Sequence, residues 1–175
     1  MTGRENQGKG SPLLKRYDSV LGSLRRADRL TADVYDFVVE CPQLAALAVP
    51  GQFALRRPIS ICGIDRQAGT LRFVFQVRGQ GTADLAQLQA GDQLELLAPL
   101  GKGFPLDKGK RTLLVGGGID VPPLLGLAAE LGENTVAALG FRNKDAVILE
   151  QDFQAAGAKV LVATADGSYG HHGLV

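Results

Sequence analysis

Tryptophan is absent from this 175-residue sequence, methionine occurs once, cysteine twice, and aromatic residues make up only 6%. Cys41 and Cys62 form no C-x-x-C pair and have no histidine nearby, which excludes a disulfide framework or a thiolate metal site and leaves reduced, buried thiols. No apolar run approaches the roughly 18 residues of a membrane span, and the N-terminus lacks an apolar signal core. The expectation is therefore a cytoplasmic protein with no membrane span. Charge of one sign is lacking too: 19 basic residues face 18 acidic ones for a net charge of +1, so no global field recruits nucleic acid or an acidic membrane. The basic excess is local, in Arg4, Lys9, Lys15, Arg16, Arg25, Arg26 and Arg29, and reads as a solvated start. No Ser/His/Asp set, carboxylate pair or basic-aromatic surface stands out.

What is plentiful is glycine, at 23 residues, in a chain that is 45% hydrophobic and 21% charged. That composition supports a folded core with many turns and close backbone approaches. Residues 1–15 are polar and read as a disordered tail. Apolar segments at Val20-Leu21 and Val34 to Val39, separated by a charged turn region at Arg25 to Arg29, predict paired strands. Thr70 to Val77 alternates with a period of two and is the clearest strand, and another is expected at Gln93 to Leu97. Between them a short helix is predicted over Ala83 to Leu88, capped by Thr82. Short strands with a single helix predict a small antiparallel barrel over 16–106.

After Lys108-Gly109-Lys110 the pattern changes. Strands at Arg111 to Val115, Thr135 to Leu139 and Lys159 to Ala163 alternate with helices at Val121 to Leu131 and Asp145 to Ala155. Near-continuously apolar strands between helices predict an α/β domain over 107–175, its parallel sheet covered on both faces. The sheet is expected to be incomplete, with three strands, in a C-terminally truncated chain. His171 and His172 read as solvated loop residues.

Two stretches carry possible chemistry. In Gln52 to Ile61, Arg56 and Arg57 offer forked donors for phosphate, Pro58 fixes the backbone, and Ser60 between Ile59 and Ile61 offers a directional hydroxyl. An amphipathic strand with solvated arginines is the open alternative. Arg78 and the turn Gly79-Gln80-Gly81-Thr82 add a cation and a glycine turn one strand later. The second stretch, Gly116-Gly117-Gly118, follows a strand and precedes a helix, which suits a backbone approach to a diphosphate. A ligand-free strand-to-helix turn is its alternative. Asp120 lies within this turn and cannot cap the helix, because Pro122 and Pro123 have no N–H to give. Facing a diphosphate at about 5 Å and an effective dielectric near 20, its charge would cost roughly 3 kcal/mol per pair before screening.

Taken in order, these segments resemble the ferredoxin reductase superfamily, and most closely the electron-transfer subunits of class B (NAD-dependent) dihydroorotate dehydrogenases. The resemblance is carried by Pro50-Gly51-Gln52-Phe53, Leu55 to Ile61, Gly81-Thr82, Pro99 to Phe104, Gly116 to Ile119 with Val121 to Leu124, and Asp166 to Gly170. It implies an FAD-binding barrel followed by an NAD-binding domain. Arg57, Pro58, Ile59 and Ser60 would hold the flavin, Arg78, Gly81 and Thr82 would complete its grip, and Gly117 and Gly118 would face the nicotinamide nucleotide. It further implies an accessory oxidoreductase subunit that passes electrons between NAD, FAD and a [2Fe–2S] cluster and forms a hetero-oligomer with a catalytic dihydroorotate dehydrogenase subunit in pyrimidine biosynthesis.

The sequence departs from that pattern in three places. The family's C-terminal cysteine cluster is absent, so the isolated chain is not expected to complete the relay. Asp120 replaces a glycine, which stands against NAD binding, and the link from Phe53 to Arg56 is shorter than usual. Two other readings stay open: a reductase subunit of another NAD(P)H-dependent complex, of sulfide dehydrogenase or hydrogenase type, or a nucleotide-binding or docking module without turnover.

Overall fold

The computed structural model describes residues 19–54, 58–97 and 99–175. Six antiparallel strands make the first sheet: β1 (Ser19–Arg29), β2 (Val34–Glu40), β3 (Phe53–Ala54), β4 (Ile59–Asp65), β5 (Thr70–Gln76) and β6 (Gln93–Leu97), in the order β3-β4-β5-β2-β1-β6. Past β6, Leu100 exchanges both backbone hydrogen bonds with Phe53, at 3.0 and 2.8 Å, so the last stretch of the barrel closes back on β3. The sheet thus becomes a nearly closed barrel. The alternation seen in sequence fills its interior: Leu24, Phe37, Val39, Ile61, Leu71, Phe73 and Leu96 are all buried.

Helix α1 (Pro42–Leu47) was not expected from the sequence. Pro42 opens it, where a missing N–H costs nothing, and Leu44 and Ala45 complete the barrel core. Helix α2 (Gln80–Leu85) begins and ends earlier than predicted. Gly79 occupies the cap position, while the Thr82 hydroxyl reaches back to accept from the Arg78 and Gly79 N–H groups at 2.9 and 3.2 Å.

The charged stretch Arg25 to Arg29 is strand, not turn. Its side chains are neutralised in place, Arg25 by Glu40 and Arg26 by Asp36 and Asp28, and the turn falls later, where Leu30 N–H donates to the Val34 carbonyl at 2.8 Å.

The second sheet is parallel, with β7 (Thr112–Gly117), β8 (Thr135–Phe141), β9 (Lys159–Thr164) and β10 (His171–His172) in the order β10-β9-β8-β7. It has four strands rather than three, because Gly167 and Gly170, at φ 72° and 65°, turn the chain back so that His171 and His172 pair with Ala163 and Thr164. Helix α3 (Pro122–Leu131) ends at Gly132 as predicted. The second predicted helix is shorter: a 3-10 turn over Lys144–Ala146 precedes α4 (Glu150–Ala155), and Leu149, at φ 62°, breaks the run between them. These helices bury Leu114, Ala137, Leu139 and Val162 on one face. The other face is open among the described residues, with Leu113, Val115 and Leu161 each more than half exposed, so the expected two-sided cover is corrected to one. Barrel residues Val34, Cys62 and Val74 share a core with α3 and β8, which ties the two sheets together.

Candidate functional site

Strand register decides where the candidate residues meet. Val34 pairs with Gln76 and Ile61 with Phe73, so the start of β2, the start of β4 and the end of β5 lie at one end of the barrel. The turn from β7 into α3 comes to the same place, leaving a cleft of about 860 Å³ between barrel and parallel sheet. Arg78, Gly117 and Gly118 line this cleft, as do Asp33, Asp120, Arg142 and Asn143.

The other described candidates sit beside the cleft rather than in its wall. Pro58 is exposed, Ile59 buried and Ser60 half-buried at the start of β4. The Ser60 hydroxyl has no hydrogen-bond partner among the described residues. Gly81 lies in the first turn of α2, and the Thr82 hydroxyl donates to the Gly79 carbonyl at 2.9 Å, so it shapes the turn rather than standing free. Leu55, Arg56 and Arg57 lie outside the described residues, and with them the shortened link and the arginine assigned to the flavin diphosphate.

The glycine turn fits a diphosphate on its own geometry. Gly118 sits at φ 54° and a Cβ built there meets nothing within 4 Å, so a ligand can approach the backbone directly. The proline pair at the head of α3 removes two first-turn donors and the Leu124 N–H is taken by the Val121 carbonyl, which places any phosphate contact on the turn itself. Asp120 is exposed in the cleft and, as the sequence argument requires, no side-chain bond caps α3. Its carboxylate has no hydrogen bond or ion pair among the described residues.

Sequence reasoning missed three charged groups of the cleft, Asp33, Arg142 and Asp145. The Asp33 carboxyl is held below its usual range first by the Gln76 amide, at 2.5 Å, and then by Thr31 and the charges of Arg78 and Arg142. Arg142 follows the C-terminal end of β8 and engages no acid directly, so it is an available cation. The signal for it was its place after a parallel strand's C-terminal end, where ligands of open α/β sheets bind. Asp33 sits in a hairpin turn and gave no such signal.

The loop between β9 and β10 is locked by its own side chains. Ser168 donates to Asp166 at 2.6 Å and accepts from the Lys144 N–H at 2.8 Å, and Tyr169 donates to Glu150 at 3.0 Å. Cys41 and Cys62 are both buried, and burial pushes the Cys62 thiol up to about 12. Among the described residues no three His, Cys, Asp or Glu side chains are placed to hold a metal ion. An iron–sulfur cluster therefore does not fit the described residues.

A nearly closed antiparallel barrel facing a parallel sheet across a cleft with a glycine turn is the ferredoxin reductase-like fold, and this chain has that fold. The structure of the NADH-dependent reduced ferredoxin-NADP oxidoreductase superposes with a TM-score of 0.78 at 30% identity, over 88% of this chain and 60% of that one. The ferredoxin reductase of carbazole 1,9a-dioxygenase shares the fold with a TM-score of 0.74 at 20% identity, over 89% and 54%. No family model matches the chain.

By sequence the chain is a homologue of the electron transfer subunits of dihydroorotate dehydrogenase B (NAD(+)). It is 44% identical to the subunit from Geobacillus thermodenitrificans, over 85% of this chain and 65% of that protein. Against the subunit from Streptococcus mutans it is 50% identical, over 69% and 49%. The chain thus spans one half to two thirds of the length of these relatives. No helix among the described residues is long and apolar enough to cross a membrane.

Proposed function

We propose that this chain is the FAD- and NAD-binding part of an electron-transfer flavoprotein subunit acting with a catalytic dihydroorotate dehydrogenase subunit in the cytoplasm. The observation that carries the reading is a convergence. The unpartnered Ser60 hydroxyl, the Arg78 guanidinium and the open Gly118 turn come to one end of the barrel, in a chain homologous to proteins named as electron transfer subunits.

In this reading residues 16–106 hold FAD and 107–175 hold the nicotinamide nucleotide. Pro58 and Ile59 shape the floor on which a flat ring lies, and Ser60 gives that ring its directional hydrogen bond. Arg57 and Arg78 neutralise the flavin diphosphate, and the Gly81-Thr82 turn sets where Arg78 stands. Gly117 and Gly118 admit the nucleotide diphosphate, with Arg142 supplying the compensating charge. Bound FAD would supply the step between a two-electron hydride donor and one-electron carriers. The cluster that receives those electrons in the resembled family has no ligand set in this chain's described residues.

Anaerobic mixing of the FAD-loaded chain with NADH tests the assignment. Loss of the visible flavin absorbance is expected. Flavin that dithionite bleaches but NADH does not would favour a docking module without turnover.

A further inference from the structure

A second groove, of about 560 Å³, opens between the barrel and the helices α3 and α4, and shares no residue with the nucleotide cleft. At its edge stands Arg72 of β5, with a side chain only 20% exposed. Its guanidinium donates to both carboxylate oxygens of Asp36, at 2.8 to 3.2 Å, and its remaining arm reaches out of the barrel to Asp152 on α4. Burial opposes the Arg72 charge, but the bonds to Asp36 and Asp152 outweigh it and hold the proton more firmly than usual. Arg26 also pairs with Asp36, so the barrel carboxylate keeps a partner whichever way Arg72 leans.

Position along one strand gives this pair its leverage. On β5, Arg72 lines the groove, Val74 belongs to the core shared with α3 and β8, and Gln76 lines the cleft. Next to this core, α3 approaches β4 so closely that a Cβ added to Gly126 would lie 3.3 Å from the Cys62 carbonyl oxygen. Such a contact leaves little room for the two elements to slide past each other. A rotation of the parallel-sheet domain about it would change the groove and the cleft together. The partner helix is firmly seated on its own domain, since Leu149 and Phe153 of the α4 region are buried.

We propose that Arg72 and Asp152 are positioning residues that clamp the groove and thereby fix the width of the cleft in which nucleotide meets flavin. This rests on the functional reading above, because the clamp matters to chemistry only if the two ligands react across that cleft. Transfer between bound groups is steeply sensitive to their separation, with a displacement of about 1 Å capable of costing on the order of a hundredfold.

The test compares the FAD-loaded chain with Asp152→Ala and Asp152→Glu, leaving Arg72 paired inside the barrel. Flavin affinity should stay unchanged. The rate of flavin reduction at saturating NADH should fall at least about tenfold in Asp152→Ala and recover in Asp152→Glu. Amide exchange over residues 61–64 and 124–128 should quicken in Asp152→Ala alone. Unchanged exchange would overturn the clamp. Faster exchange with an unchanged saturating rate would overturn its link to the cleft. If NADH fails to reduce the wild-type flavin, the functional reading falls, and the exchange comparison still decides the clamp.

Discussion

In the proposed function, Asp120 is the residue on which nucleotide affinity turns. Its carboxylate is exposed in the cleft, next to the Gly118 turn, and no cation or donor among the described residues compensates it. Arg78 and Arg142 line the same cleft and would offset part of that charge with a diphosphate bound. At about 5 Å and an effective dielectric near 20 the repulsion is roughly 3 kcal/mol before screening, and exposure lowers it. Asp120→Gly, and equally Asp120→Asn, should tighten NADH binding by at least about tenfold at low salt, with a smaller gain at high salt. Equal affinities by calorimetry would show that the carboxylate turns away from the diphosphate. The difficulty was legible in the sequence, since the two prolines alone rule out capping; that Asp120 also lacks any tertiary partner was not.

Among the elements, β10 depends most on a single backbone position. Gly170 sits at φ 65° and a Cβ there would lie 2.2 Å from the Val162 carbonyl oxygen, which belongs to β9 and cannot step aside. Gly170→Ala should cost about 1–3 kcal/mol and unpair β10. Thermal unfolding and amide exchange at His171 and His172 would register the change, and an unaltered exchange pattern would contradict it. This strand escaped the sequence reading because two histidines carry no periodicity; only the φ values of the flanking glycines make it a strand. The same limit hid α1, a six-residue helix opened by Pro42, and it misplaced the Arg25 to Arg29 turn, whose charges are matched by Glu40 and Asp36 across the sheet. Where side-chain period and burial agree, as in β5 and β6, the sequence reading and the strand coincide to within a residue.

For the whole molecule, the change from alternating to continuous apolar strands revealed two architectures in one chain, because an antiparallel barrel wets one strand face and a parallel sheet buries more. What the pattern could not convey was how the two halves face each other. That relation is set by Val34, Cys62 and Val74 packing under α3 and by Arg72 reaching Asp152, none of which has a local signature. The site follows from it: Arg78 and Gly117, 39 positions apart in sequence, line one cleft only because β5 and β7 end at the same level.

Flavin binding by the barrel is central to the proposed function, and titration of the purified chain with FAD tests it most directly. Stoichiometric uptake is expected, with quenched flavin fluorescence and a visible absorbance band that stays with the protein through gel filtration. Affinity should weaken several-fold in Ser60→Ala. A chain that carries no visible flavin absorbance as purified and takes up none on titration would contradict the account.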